Sequence, residues 1–316
     1  MTRDRALDNY KGIAVILMVV GNILANAPNF PEFFKHAPDI GFTIADVIAP
    51  MFIFAIAATY GQSFNRRFQI DKQKTYVHFV NRYFALLGIG ALFCAGGAIT
   101  SQETAWGVLQ AIGVAGLITL MFIRFPGWAR FALAGVLLIM YQYLLDAFLL
   151  DGLINNPTYT NLHGGLFGSV SWGAMLILST AMIDLHKHSK KRFLIGSGIL
   201  TAVAIASLFI VPISKNRVSL SYVLVATAIS CAAYYAVEVI TKILPKSFAF
   251  VESWGESPIL MYVLHLILMG IARIPFYVVG IEARPLWADL LVCVFVLAAL
   301  SLIALKLHKK NVKISL

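Results

Sequence analysis

Long apolar stretches recur from one end of this 316-residue chain to the other. A helix needs roughly 20 such residues to cross the hydrocarbon core of a bilayer. Inside that core the backbone must satisfy its own hydrogen bonds, which leaves helices and closed barrels. Because the stretches are continuous rather than alternating, they predict helices. We therefore expect an all-α polytopic membrane protein, with about ten transmembrane helices in one bundle, at residues 10–28, 41–63, 79–99, 104–124, 128–149, 165–186, 192–213, 218–243, 257–280 and 285–307.

The composition agrees with this class of protein. Hydrophobic residues make up 59% of the chain and charged residues 13%, whereas soluble domains carry about 25% charged residues. No internal repeat or low-complexity tract divides the sequence, so residues 1–316 are predicted to form a single transmembrane domain. In the ninth span, Arg273 and Pro275 mark a place where the helix could end early.

Lysine and arginine are unevenly distributed between the predicted loops. If the N-terminus is inside, only five of the 25 basic residues fall on the outer side: Lys35, Lys215, Arg217, Arg273 and Arg284. The other basic residues lie in cytoplasmic segments, as the positive-inside rule requires. Both termini are therefore predicted to be cytoplasmic, with His36 on the outer side. Topology explains the net charge of +10, and nucleic acid is not an expected partner.

A histidine and a carboxylate lie close together in sequence at the outer end of the second span. Placing an ionisable side chain in a bilayer costs roughly 2.5–3.5 kcal/mol on the lenient insertion scale, so Asp46 is a functional-site candidate. An ordinary imidazole can take a proton from an attacking nucleophile near neutral pH, so His36 is a candidate base, and a carboxylate could orient it. The alternatives are a solvated loop histidine and a carboxylate favoured by a helix N-terminus.

Several blocks of sequence carry a family resemblance. The most specific block is FKHAPDIGFTIADVIAPMFIF at residues 34–54. Other blocks follow the same family order, at residues 5–18, 107–110, 214–216, 219–222 and 257–265. Together they resemble the heparan-alpha-glucosaminide N-acetyltransferase family of the transmembrane acyltransferase superfamily. The resemblance implies an enzyme that passes an acetyl group from cytosolic acetyl-CoA across the membrane to a glucosamine amine.

The resemblance also implies roles for the residues near the outer surface. The family's catalytic histidine falls on His36, which would act as a base or as a transiently acylated nucleophile. Asp46 would tune this histidine. Asn22 matches a family asparagine and could donate a hydrogen bond to the thioester oxygen, with Asn26 as the alternative position. From the residue type alone, Asn22 could equally hold two helices together.

Other candidates concern the acyl donor, whose phosphates would enter from the cytosol. Arg82 is the best phosphate candidate, because a guanidinium binds phosphate bidentately; its alternative role is to set topology. Ser219 and Ser221 match family serines and could contact the donor, although helix-interface hydroxyls would look the same. His265 falls on a family histidine that could line the tunnel for the pantetheine arm, and its alternative is a buried packing role.

The expected function is transfer of an acetyl or other acyl group from cytosolic acetyl-CoA to an amine or hydroxyl of an extracytoplasmic sugar or glycan. The competing class is a transporter or permease for a small solute, although such proteins often carry repeats and midplane ionisable sites. No metal site is expected, since His186 and His188 lie in a basic loop. Short external loops indicate a protein of the bacterial inner (plasma) membrane, where an envelope polysaccharide would be the acceptor. Both a monomer and a homo-oligomer are compatible with the sequence.

Overall fold

The computed structural model describes residues 4–25, 27, 30–95, 106–147, 162–244, 249–279 and 285–314. Throughout these residues the regular structure is helical, and one isolated antiparallel bridge joins Ile40 to Ser214. Nine helices in this part of the chain are long and apolar enough to cross a membrane. The prediction of an all-α, multi-pass membrane protein is confirmed.

Eleven α-helices are found in the described residues, together with three 3₁₀ helices. The 3₁₀ helices are Glu32–Phe34, Ile44–Val47 and Leu162–Gly164. The α-helices are α1 (Arg5–Leu24), α2 (Ile48–Ile70), α3 (Lys72–Ala95), α4 (Val108–Phe122), α5 (Gly127–Asp146), α6 (Gly165–His188), α7 (Lys190–Leu208), α8 (Leu220–Ile243), α9 (Ala249–Gly255), α10 (Pro258–Val278) and α11 (Leu286–Lys309). Helix α10 continues past Arg273 and Pro275, so the early end considered for it does not occur.

The span predicted at residues 104–124 is shorter than expected. It is observed as α4, which has 15 residues and is therefore about 22 Å long at 1.5 Å per residue. The hydrocarbon core of a bilayer is roughly 30 Å thick. The helix ends ahead of Pro126, because a proline disfavours helical geometry in the residue before it. Residues 104 and 105 lie outside the described part of the chain.

The second span begins later than predicted. Residues 41–47 were expected within the helix, but Gly41 has a φ of +134°, in a region that favours glycine. An extended Thr43 follows, then the 3₁₀ helix Ile44–Val47, and only then α2. Asp46 consequently lies in the turn that enters α2 rather than inside the α-helix.

Two compact units can be distinguished, and the first contains Met1–His36, Thr43–Phe52 and Ala233–Leu316. In this unit α1 packs against α9, α10, α11 and the 3₁₀ helix that carries Asp46. Tyr10 is fully buried on α1, and its ring lies edge-on to the ring of the buried Tyr234. The polar side chain of Asn9 is buried as well, and its amide donates a 3.0 Å hydrogen bond to the Thr241 hydroxyl. Helix α1 is therefore the element around which the first unit is built.

The packing of α1 against α9 depends on a glycine at position 12. A Cβ atom there would overlap the backbone carbonyl of Val251. Gly12→Ala should therefore push the two helices apart and lower the melting temperature of the purified protein, at a cost of about 1–3 kcal/mol. Gly135→Ala on α5 is the matched control, since a Cβ there meets no atom within 4 Å. Equal thermal stability of the two variants would contradict this account of the packing.

The second unit contains Ala37–Phe42 and Ile53–Ala232. Helix α6 is the most buried of the candidate spans and packs against α4, α5 and α7. Where α3 meets α4, the ring of Tyr83 fills the space that a Cβ on Gly116 would need. The Tyr60 hydroxyl donates a 2.9 Å hydrogen bond to the Gly116 carbonyl. Small residues on α4 thus let aromatic side chains approach its backbone closely.

Candidate active site

Two 3₁₀ helices in the first unit bring His36 and Asp46 together. His36 lies two residues after Glu32–Phe34, and Asp46 is part of Ile44–Val47; these two short helices contact each other. The Nδ1 atom of His36 lies 2.8 Å from Oδ1 of Asp46. Asp46 is 1% exposed, whereas 43% of the His36 side chain is exposed. The predicted pair is therefore in direct contact, and its carboxylate is buried whereas its imidazole is partly exposed.

Thr43 holds the carboxylate in position. Its backbone N–H donates to Oδ2 of Asp46 at 3.0 Å, and its hydroxyl lies 3.1 Å from the same oxygen. The hydroxyl is also 2.6 Å from the carbonyl oxygen of Lys35, the residue before His36. Both carboxylate oxygens are thus engaged, and one threonine contacts the segments that carry both members of the pair.

The hydrogen bond to Asp46 determines how His36 can react. An ionised carboxylate only accepts hydrogen bonds, so the proton of a neutral His36 lies on Nδ1. The lone pair of Nε2 is then available on the partly exposed imidazole. A buried carboxylate that orients an imidazole in this way is the arrangement that supports a general base or an activated nucleophile.

Asn22 and His265 form a second pair within the first unit. The His265 ring is fully buried, and its Nδ1 hydrogen-bonds to the carbonyl of Tyr262. Nε2 must then accept, and Nδ2 of Asn22 donates to it over 3.0 Å. Sequence reasoning selected both residues separately but did not predict their contact. The alternative position, Asn26, lies outside the described residues.

Ser219 and Ser221 lie at the start of α8 in the second unit, and both are buried. Oγ of Ser219 accepts hydrogen bonds from the backbone N–H groups of Ser214 and Tyr222, at 3.0 and 3.3 Å, and so caps the helix. The two serine oxygens are 3.0 Å apart, and Ser221 donates to the carbonyl of Pro212. These bonds hold the loop before α8. Contact of the serines with a donor stays a prediction.

Arg82 lies half-buried on α3 in the second unit. Its guanidinium carbon is 6.0 Å from the centroid of the Tyr83 ring. Its Nε atom is buried and makes no hydrogen bond within the residues that the structure describes. Leaving such a donor unsatisfied is costly, so a ligand oxygen or a water would be a favourable partner. Binding of a donor phosphate by Arg82 stays a prediction.

A salt bridge absent from the sequence-based expectations closes a loop in the second unit. Asp39 accepts hydrogen bonds from the guanidinium of Arg217 at 2.8 to 3.2 Å and from the hydroxyl of Ser214 at 2.8 Å. The Arg217 guanidinium holds the pKa of the Asp39 carboxyl below its ordinary range, against the opposing effect of burial. The segment Ala37–Phe42, which directly follows His36 in the sequence, is tied to the loop before α8.

The same loop contains two unusual residues to which sequence reasoning assigned no role. Val218 has a φ of +51°, an uncommon and strained conformation for a β-branched residue. Lys215 is only 3% exposed, although a buried ammonium is expensive unless it is compensated. The only signal in the sequence was the resemblance of Ser214-Lys215-Asn216 to a family block. The loop before α8 thus combines a strained residue with a buried lysine.

The Asp39–Arg217 pair should contribute modestly and cooperatively to stability. Because 41% of the Asp39 side chain is exposed, we expect Asp39→Asn and Arg217→Gln each to cost about 0.5–1 kcal/mol in thermal unfolding. The double variant should lose no more than the larger single effect. Fully additive losses would contradict a direct pairing.

The pH dependence of this pair has a definite sign. The carboxyl of Asp39 has a lower pKa when folded than when unfolded, so its stabilisation is present above about pH 4 and is lost as the pH falls further. The melting temperatures of the wild type and Asp39→Asn should therefore converge below about pH 4. If the difference in melting temperature between the wild type and Asp39→Asn stayed constant as the pH fell, ionisation of Asp39 could not be its origin.

Three carboxylates of the first unit, from Asp8, Glu252 and Glu256, lie close enough to share a metal ion, with oxygens within 4.8 Å of one another. Each one, however, has a basic partner. The pairs are Arg5–Glu252 at 3.1 Å, Lys11–Asp8 at 3.3 Å and His308–Glu256 at 3.2 Å. A metal ion would have to compete with these groups, so the cluster is explained as an ion-pair network.

The fold and the paired side chains define a multi-pass helical membrane protein with a histidine–carboxylate site suited to acid–base or nucleophilic chemistry. The sequence model described as heparan-alpha-glucosaminide N-acetyltransferase, catalytic, matches residues 3–165, and the chain belongs to this family. Four of the predicted site residues lie inside the matched range, namely Asn22, His36, Asp46 and Arg82. The other three lie beyond it, namely Ser219, Ser221 and His265.

Two relatives carry the name heparan-alpha-glucosaminide N-acetyltransferase. The protein from Mus musculus is 31% identical over 119 residues, and the protein from Homo sapiens is 32% identical over 119 residues. The aligned segment covers 35% of this chain and 18% of each relative. The similarity thus extends over less than a fifth of the relatives' length.

Proposed function

We propose that this protein is a transmembrane acetyltransferase that moves an acetyl group from cytosolic acetyl-CoA to an amine or hydroxyl of a sugar or glycan on the other side of the membrane. Family membership and the multi-pass fold support this class of activity. The observation that carries the proposal is the 2.8 Å bond between His36 Nδ1 and Asp46 Oδ1. This bond leaves Nε2 of the imidazole for the reaction.

Two chemical routes are compatible with this pair. In direct transfer, the acceptor attacks the thioester carbonyl carbon while His36 Nε2 takes its proton. The C–S bond then breaks, and the imidazolium returns the proton to the departing coenzyme A sulfur. In the relay route, Nε2 itself attacks the carbonyl and expels coenzyme A as its thiolate, which leaves an acetyl-imidazolium. The acceptor then attacks the acetyl carbon, the bond to Nε2 breaks, and the acceptor's proton passes through water to the thiolate. Asp46 stabilises the positive imidazole in either route.

The remaining predicted residues are assigned to binding the donor. Asn22 would polarise the thioester carbonyl, because its amide carries two hydrogens and only one is needed for the bond to His265. His265 would then hold Asn22 in place and border the path of the pantetheine arm. Arg82 would bind a phosphate of coenzyme A, and Ser219 and Ser221 would border the donor site. None of these assignments requires a metal ion.

The acceptor side is proposed from the same reasoning. An outward-facing His36 implies an extracytoplasmic acceptor, an amino sugar or a glycan hydroxyl, and both termini in the cytoplasm. The predicted external loops are short, so the bacterial inner membrane and its envelope polysaccharides are the proposed setting. The lipid bilayer is the one partner that the apolar helices already require.

Sealed liposomes containing the purified protein test this proposal. Acetyl-CoA with a labelled acetyl group is supplied on one side, and glucosamine or a panel of other sugars on the other. We expect labelled acetyl-sugar only when donor and acceptor are on opposite sides. Intact labelled acetyl-CoA or sugar that crosses the membrane without transfer would instead favour a transporter. Transfer that requires both substrates on one side would overturn the proposed geometry.

A further inference from the structure

A cavity in the second unit is lined by basic side chains that the proposed reaction does not use. It has a volume of about 380 Å³ and lies where α2, α5 and α6 meet the turn between α4 and α5. Its polar lining comes from Asn65, Arg124, Arg130, Asp184 and His188. We propose that this cavity binds the phosphate of an anionic phospholipid headgroup at the membrane surface.

Arg130 is a prearranged, buried part of this site. It is 4% exposed, and its guanidinium donates to the carbonyl of Phe125 at 3.0 Å, to the hydroxyl of Thr180 at 2.7 Å and to the carboxylate of Asp184. A guanidinium has five N–H donors. Two therefore remain after these three bonds, one on each terminal nitrogen. The ion pair cancels the charges of Arg130 and Asp184 but leaves donors for a ligand oxygen.

Arg124 supplies the uncompensated charge of the cavity. Its guanidinium carbon lies 4.5 Å from the ring centroid of Phe68, which holds the side chain by a cation–π contact. No carboxylate is paired with Arg124 in the part of the chain that the structure describes. Helix α5 also begins at this cavity, with Gly127 as its first residue. The unbonded N–H groups of a helix N-terminus favour an anion, so the charges and the backbone point to the same type of ligand.

The surroundings favour a lipid phosphate over a soluble one. Large apolar side chains next to the cavity in sequence are exposed, with Phe125 at 47%, Trp128 at 75% and Met121 at 71%. In a membrane protein such surfaces face acyl chains, and tryptophan prefers the level of the headgroups. Exposed basic residues near the same helix ends, including Arg67 and Lys187, would attract anionic lipids. Acyl-chain contacts and a phosphate site therefore lie side by side.

The test compares full-length protein in nanodiscs of pure phosphatidylcholine with protein in nanodiscs that also contain phosphatidylglycerol. We expect phosphatidylglycerol to raise the melting temperature and to be retained during purification. Arg124→Gln should weaken phosphatidylglycerol binding about fivefold more than the control does, the equivalent of roughly 1 kcal/mol for one basic side chain in contact with the headgroup phosphate. Arg67→Gln is the control, because it removes the same charge from an exposed residue outside the cavity lining and so loses only the general attraction between the protein surface and anionic lipids.

A second variant protects the test against a folding defect. Gly127→Glu puts a carboxylate in the cavity, where a Cβ meets no atom within 4 Å, and at a helix start, where an acidic residue favours the fold. It should bind phosphatidylglycerol at least as poorly as Arg124→Gln while melting normally in phosphatidylcholine. Equal losses of phosphatidylglycerol binding in Arg124→Gln and Arg67→Gln would overturn the assignment of the cavity as the binding site. Protection by inorganic phosphate or coenzyme A that depends on Arg124 and equals that of phosphatidylglycerol would overturn the lipid assignment.

Discussion

Replacing His36 with alanine should lower kcat for acetyl transfer by about 10²–10⁴-fold, the range typical of losing a general acid–base group. The reason is that Nε2 is the group proposed to remove the proton of the acceptor or to attack the thioester. KM for acetyl-CoA should change little, because this imidazole meets the reacting atoms rather than the body of the donor. Steady-state kinetics of the purified variant, with radiolabelled acetyl-CoA, provide the measurement.

His78→Ala is the matched control for this experiment. His78 is a half-buried histidine on α3 in the second unit, and its loss should leave kcat within a factor of about two, as for a surface substitution away from special features. Comparable activity of His36→Ala and wild type would rule out His36 as base and as nucleophile. Incubation with labelled acetyl-CoA and no acceptor separates the two routes, since only the relay leaves a label on the protein, which His36→Ala would lose.

Asp46→Asn should lower kcat by about 10²-fold or more, the second largest effect expected from this site. The amide of asparagine can present an N–H to Nδ1 of His36, which would move the imidazole proton onto Nε2 and remove the lone pair needed for catalysis. It would also remove the negative charge that stabilises the imidazolium. The size of the side chain is unchanged, so the bonds from Thr43 can still form through its carbonyl oxygen.

A positioning role for Asp46 predicts more than a lower rate. The loss should fall on kcat and leave KM for acetyl-CoA nearly unchanged, because the carboxylate contacts the imidazole of His36 and not the donor. Thr43→Val, which removes the hydroxyl contacts but keeps the carboxylate, should have a smaller effect on kcat. If Asp46→Asn lowered the melting temperature without altering kcat, Asp46 would be a purely structural residue.

The sequence was most informative where the chemistry is local. His36, Thr43 and Asp46 lie within one short block, and the turn between them is shaped by Gly41 and the entry into α2. The block therefore carried both the resemblance and most of the geometry of the pair. What it did not reveal was the exact start of α2, because the apolar residues before it suit a helix or a turn equally well.

Long-range contacts could not be predicted in the same way. Asn22 and His265 were selected separately, and the bond between them joins residues 243 positions apart. Arg217 was counted as an outer-loop charge, but it is paired with Asp39, 178 positions away. Such pairs depend on which helix faces pack together. Apolar faces that contact lipid and apolar faces that contact another helix look alike in a sequence.

The amino-acid sequence alone determined that this protein resides in a membrane as a bundle of helices. Whether a segment spans the bilayer as a helix depends on its own length and apolar composition, and not on which other segments it packs against. It also singled out His36 and Asp46 as a candidate pair. Only the tertiary structure decided that these side chains touch, that Asn22 donates to His265, and that Arg124 and Arg130 border a common cavity. The bond from Asn22 to His265 arises from packing between distant segments, and the other two relations arise from the exact geometry of a turn; the local preferences of the residues specify neither.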